Sequence, residues 1–105
     1  MGRTLRVVHC GLGPIGLGIA RLVLETEGLK IVGAADPSFD KAGKDLGGLL
    51  GLPRKLRIKV EGDPAHFARK SRADIAVLST GSSLRDVKPQ IAALVQRGML
   101  SLIHI

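Results

Sequence analysis

Three glycines, Gly11, Gly13 and Gly16, stand in the string HCGLGPIGLGIARLVLE at the spacing G-x-G-x-x-G, and Asp36 follows 20 positions after the last of them. A glycine trio of this kind has a use only between a strand and a helix. There the first glycine permits the tight bend, the second lets the backbone approach a pyrophosphate, and the third lets the helix pack closely on the strand. The unpaired N–H groups and partial positive charge of the helix N-terminus complete a phosphate cradle. Pro14 has no N–H to give and instead fixes φ at the helix start, so Gly13, Ile15 and Gly16 are the donor candidates. An acidic residue at the position of Asp36, at the end of the next strand, can accept hydrogen bonds from the hydroxyls of an adenosine ribose.

A second stretch, STGSS at residues 79–83, follows another apolar run. In an open parallel sheet the carboxyl ends of the strands face the ligand crevice, which puts Thr80 and Gly81 near the reactive end of a dinucleotide. Ser82 and Ser83 read as caps of the next helix. Other phosphate-binding turns do not fit: no Gly-Lys-Ser/Thr follows the glycines, and a helix rather than a strand does. Cys10, the lone cysteine, ends a buried strand and reads as a small core residue, and His9, His66 and His104 show no metal spacing. No catalytic residue and no metal site is assigned.

The elements that must position these residues follow from periodicity. TLRVVHC (4–10) is a β-branched run ending in glycine and reads as a strand. Ile15, Ile19, Leu22 and Val23 form the apolar stripe of a helix that should stop near Gly28. LKIVGAAD (29–36) reads as a second strand, and 44–50 as a short helical turn in a glycine-rich loop. LRIKVEG (56–62) alternates like a third, edge strand, and DPAHFARKS (63–71) like a helix with Asp63 as N-cap and Pro64 at N1. ADIAVLSTG (73–81) suits a fully buried strand. A helix then carries Leu84, Val87, Ile91, Leu94 and Val95 on one face up to Gly98, with Ser83 and Asp86 as a capping pair and Pro89 bending it or closing its first turn. MLSLIHI (99–105) is a last strand. This alternation predicts one α/β domain over residues 1–105, a Rossmann-type, doubly wound, mainly parallel sheet.

Composition sets the limits. The chain has 105 residues, 45% of them hydrophobic and mostly branched aliphatic, with 24% charged, which suits one soluble globular domain. No apolar run approaches the roughly 18 residues of a membrane span and no signal peptide follows Met1, so no membrane partner is expected. One cysteine forms no intrachain disulfide, and a reducing cytoplasm is the simplest location. The net charge of +7 is densest between Arg54 and Arg72. Without interleaved aromatics or a nucleic-acid motif, that stretch reads first as a solvated basic face and second as an attractor of an anionic cofactor.

On GLGPIGLGIARLVLE, GAADPSFDKAGKDLGGLLGLP and ADIAVLSTGSSLRDVKPQIAALVQRG, the chain resembles the N-terminal domain of dihydrodipicolinate reductase-like oxidoreductases. Within them it is most similar to the branch of 2,4-diaminopentanoate dehydrogenase-like amine dehydrogenases. The resemblance spans residues 5 to about 99. It implies NAD or NADP as cofactor, NAD slightly favoured, and hydride transfer to or from a carbon of an amine or imine. It places Gly11, Gly13, Pro14, Ile15, Gly16 and Asp36 on the cofactor, with Thr80 and Gly81 at its reactive end. It also implies a C-terminal domain that binds substrate, supplies catalytic groups and builds a homo-oligomer. That domain is expected to be missing, because LSLIHI does not match the polar, threonine-containing continuation of the family. The expectation is a truncated reading frame whose product binds cofactor without catalysis. The alternative is a stand-alone dinucleotide-binding module.

Overall fold

The run Leu5–Cys10 forms strand β1, with Val7 through Cys10 all buried, as a central strand between two covered faces requires. The computed structural model describes residues 4–63, 67, 72–79 and 101–104. After β1 come helix α1 (Pro14–Leu24), strand β2 (Leu29–Ala35), the short helix α2 (Leu46–Leu49), strand β3 (Ile75–Leu78) and strand β4 (Ser101–His104). The four strands form one parallel sheet in the order β2-β1-β3-β4. The first crossover, from β1 to β2, runs to one side of β1, and β3 lies on the other. The chain therefore reverses direction at β1, the switch point beside which ligands bind in open α/β sheets.

Register is pinned at the entry side. Arg6 N–H donates to Asp74 Oδ2 at 2.9 Å, Asp74 N–H donates to Arg6 O at 2.8 Å, and the Arg6 guanidinium lies 3.6 Å from the same carboxylate. Between β1 and β2 the pairing jumps from Val7↔Ile31 to Val8↔Gly33, so Val32 is an extra residue and β2 carries a bulge there.

The two faces hold separate cores. Val7, Ile31, Ala34 and Val77 pack with α1 residues Ala20 and Val23 and with Leu46, Leu50 and Val60. Val8, Cys10, Ala35, Ala76 and Leu78 pack with Phe67 and Ala73 on the opposite face. This is the Rossmann-type α/β sheet expected from the alternation of elements.

Three local expectations need correction. The buried stripe of α1 is Gly16, Ala20 and Val23, with Leu17, Ile19 and Leu24 partly buried, whereas Ile15 and Leu22 are 65% and 63% exposed. The rotation of the helix is set by the close seat of Gly16 on the strand, not by its largest apolar residues. The helix also ends at Leu24, before Gly28, which takes its left-handed φ of +89° in the turn leading to β2. Residues 56–62 form no laddered strand, only the isolated bridges Ala35↔Glu61 and Asp45↔Lys59. Asp45 removes the donors a ladder needs: its carboxylate takes the N–H groups of Leu56 and Ile58, each at 2.9 Å, as well as that of Gly47 at the start of α2. Of the expected helix over 63–71, Phe67 is described as helical and donates its N–H to Asp63 O at 2.9 Å, the bond an N-cap carbonyl accepts. The helix expected over 84–98 lies outside the described residues, and the last strand is present as β4.

Candidate functional site

The chain leaves β1 through Gly11, whose φ of +102° lies in the region that only glycine enters freely, so the first of the three glycines makes the bend. Gly11 N–H donates to Ala35 O at 2.8 Å, tying the turn to the end of β2. Leu12, fully buried, anchors the loop, and burial of a leucine side chain stabilises by roughly 1.5–3 kcal/mol. Gly13 is the N-cap of α1, with extended backbone and no capping side chain. Pro14 occupies the first helical position, and Gly13 O accepts the first intrahelical bond, from Leu17 N–H at 2.8 Å. The N–H groups of Ile15 and Gly16 precede that bond, so no helical carbonyl is available to them. No acidic residue stands in the first turn to oppose the positive end of the helix.

The second and third glycines differ sharply in what a side chain would meet. A β-carbon at Gly13 would find nothing within 4 Å. At Gly16 it would collide with the carbonyl oxygen of Gly11 and lie 2.7 Å from Ser79 Oγ. Gly16 is therefore the close-packing glycine and Gly13 the one beside open space.

Asp36, just past β2, is only 6% exposed. Its Oδ2 accepts the Leu12 N–H at 2.6 Å and its Oδ1 accepts the Ser38 N–H at 2.7 Å. The carboxylate thus joins the glycine turn to the loop after β2. Each of its oxygens has two lone pairs, and one on each stays available for a further donor.

Gly11, Gly13, Pro14, Ile15, Gly16 and Asp36 line one cleft of about 260 Å³, together with Pro37, Lys41 and Ser79. The cleft sits at the carboxyl ends of β1, β2 and β3. Six of the eight residues expected from the sequence are brought together here, while Thr80 and Gly81 lie outside the described residues. Three further lining residues, Pro37, Lys41 and Ser79, are not among those eight. Ser79 donates its hydroxyl to Gly11 O at 3.1 Å, and its place directly after a buried strand was the available signal. Lys41 is the basic residue of the cleft among those described. Lys44, Arg54 and Lys55 line a different cleft beside α2.

The neighbouring titratable groups do not reach this chemistry. His9 is buried on β1 with neither ring nitrogen hydrogen-bonded, and burial pushes its pKa down to about 4. Burial pushes the Cys10 thiol up to about 12, which keeps it protonated and inert, as a core residue should be. Among the described residues no His, Cys, Asp or Glu cluster could hold a metal, and no helix is long and apolar enough to cross a membrane.

No family model matches the chain. A 4-hydroxy-tetrahydrodipicolinate reductase of Methanococcus vannielii is 50% identical over 42 residues, 39% of this chain and 16% of the reductase. Among solved structures, an amine dehydrogenase from Mycobacterium smegmatis superposes with a TM-score of 0.80 at 36% identity, covering 92% of this chain and 28% of that one. A scyllo-inositol dehydrogenase from Lactobacillus casei with bound NAD(H) superposes with a TM-score of 0.68 at 16% identity, covering 97% and 28% of the two chains. At that identity the likeness is one of fold. The chain thus spans less than a third of the length of each of these proteins. Of the resemblance read from three sequence motifs, the sequence match bears out the dihydrodipicolinate reductase-like part and the structural match the amine dehydrogenase part.

Proposed function

We propose that this chain is the dinucleotide-binding domain of an oxidoreductase that moves hydride to or from a carbon bonded to nitrogen. The observation that carries the cofactor assignment is the convergence of the glycine turn, the bare N-terminus of α1 and Asp36 on one cleft at the switch point. The open space beside Gly13 fits a pyrophosphate, since a β-carbon there would project into empty cleft. Gly13, Ile15 and Gly16 donate their N–H groups to the phosphates, and Pro14 holds the first turn rigid. Asp36 accepts from the ribose hydroxyls with the lone pairs its backbone partners leave free. Thr80 and Gly81 follow β3 and flank the nicotinamide. When bound, the nicotinamide supplies or accepts the hydride. The choice of an amine or imine carbon rests on the 36% identity to an amine dehydrogenase.

Asp36 also sets cofactor preference. A carboxylate about 4 Å from a 2′-phosphate is repelled by roughly 4 kcal/mol at an effective dielectric near 20. Lys41, lining the same cleft, offsets part of this. NAD is therefore bound at least as tightly as NADP. Thermal unfolding with NADH, NADPH and their oxidised forms tests the reading, because a ligand of the folded state raises the melting temperature by mass action. A rise with NADH at least equal to that with NADPH is expected. No rise with any of the four at millimolar concentration would overturn the assignment.

A further inference from the structure

The described basic residues between Arg54 and Arg72 line clefts other than the dinucleotide cleft. Arg57, Lys59 and Arg72 line a separate cleft of about 380 Å³, whose remaining walls are Val8, Val32, Gly33, Ile58, Glu61 and Phe67. Its apolar part belongs to the sheet face opposite α1, where Val8 and Phe67 share a core. Among the described residues, no ion pair joins Arg57, Lys59 or Arg72 to a carboxylate.

Two backbone irregularities shape this cleft. Arg57 has a φ of +62°, the one described residue other than glycine with positive φ. It is held there from both sides, because the Asp45 carboxylate accepts the N–H groups of Leu56 and Ile58 at 2.9 Å each. A strained residue fixed by its surroundings is the kind that lines ligand sites. The second irregularity is the β2 bulge at Val32. Beside it, Gly33 lets the Phe67 ring lie against the strand, since a β-carbon at Gly33 would come within 2.8 Å of that ring.

We propose that this cleft is a second ligand site, for a small phosphorylated molecule with a compact apolar body. Its phosphate pairs with Arg57, Lys59 and Arg72, and its body lies against Val8, Val32 and Phe67. The concave shape and volume fit a small molecule, within the range of ordinary ligand pockets. The three cations match a phosphate dianion, for which arginine supplies paired donors.

The test is calorimetric titration of the whole chain with phenyl phosphate and with inorganic phosphate, with and without NADH. Saturable binding of phenyl phosphate, tighter than that of inorganic phosphate and undisturbed by NADH, is the expected result. Arg57→Gly keeps the backbone conformation, which glycine adopts without strain, and should weaken phenyl phosphate about tenfold or more, the loss of one charged hydrogen-bonding partner. Arg72→Ala should weaken it in the same direction while NADH binding is kept. Absence of saturation at millimolar phenyl phosphate, displacement by NADH, or unchanged affinity in both variants would overturn the proposal. Tight binding of a single-stranded oligonucleotide without any binding of phenyl phosphate would also overturn it, in favour of an extended nucleic-acid surface.

Discussion

Gly13→Val separates cofactor binding from folding. The Gly13 backbone, at φ −69° and ψ −173°, is open to any residue, and a β-carbon there meets nothing within 4 Å. Replacing glycine where the new residue fits without strain stabilises by roughly 0.4–1 kcal/mol through the unfolded chain. Valine at an N-cap costs a comparable amount relative to glycine, so the free variant should melt close to the parent. The valine methyl groups, however, project into the cleft where the pyrophosphate is to approach. At a concentration 100 times its dissociation constant, NADH stabilises the parent by about 2.7 kcal/mol. A hundredfold loss of affinity leaves about 0.4 kcal/mol at the same concentration. Thermal unfolding with and without NADH reads both effects. The free variant should fold and melt close to the parent, and the NADH-induced rise should nearly vanish. If the rise survives in full, the glycine is a turn residue only and the cradle lies elsewhere. A variant that fails to fold would show that the space beside Gly13 is not open.

Gly16→Ala should behave in the opposite way, losing roughly 1–3 kcal/mol or more in denaturant unfolding, because its β-carbon collides with Gly11 and Ser79. Asp36→Ala leaves the N–H groups of Leu12 and Ser38 without their acceptor, so it should cost roughly 1–3 kcal/mol of stability and weaken NADH more than NADPH. Lys41→Ala should weaken NADPH more than NADH, whereas Lys55→Ala, in the other cleft, should alter neither; titration calorimetry checks both. His9 makes stability pH-dependent: the unfolded chain takes up its proton near 6.5 and the folded chain near 4, so the unfolded state binds more protons between them. Stability contributed by neutral His9 is full above 6.5, falls as pH drops, and levels off below about 4, a loss of roughly 3 kcal/mol that His9→Leu should remove from the unfolding-versus-pH curve.

The features legible in the sequence are those that act through the backbone. Gly11 and Gly16 reveal their roles by spacing alone, because a positive φ and a helix seated on a strand demand the residue without a side chain. The position of Asp36 was readable for the same reason, as the end of a strand. What Asp36 touches was not, since Leu12 lies 24 residues away in the chain and only the closed turn brings its N–H to the carboxylate. The face of α1 was misread because Gly16, Ala20 and Val23 carry little of its apolar surface, and steric contact at Gly16 overrules periodicity there. The edge strand expected over 56–62 fails through Asp45, a residue more than ten positions upstream of it whose carboxylate replaces the ladder. Folding also separates the basic residues that follow Asp36, putting Lys41 in one cleft and Lys44, Arg54 and Lys55 in another.

The most direct test follows the backbone amides of the glycine turn during titration with NADH, by proton–nitrogen correlation spectra of the whole chain. If the turn cradles the pyrophosphate, the amide protons of Gly13, Ile15 and Gly16 move downfield together and saturate with one dissociation constant, as N–H groups do on donating to an anion. If NADH binds while those three amides stay in place, or if no amide moves at all, the turn is not a phosphate cradle and the dinucleotide reading is wrong.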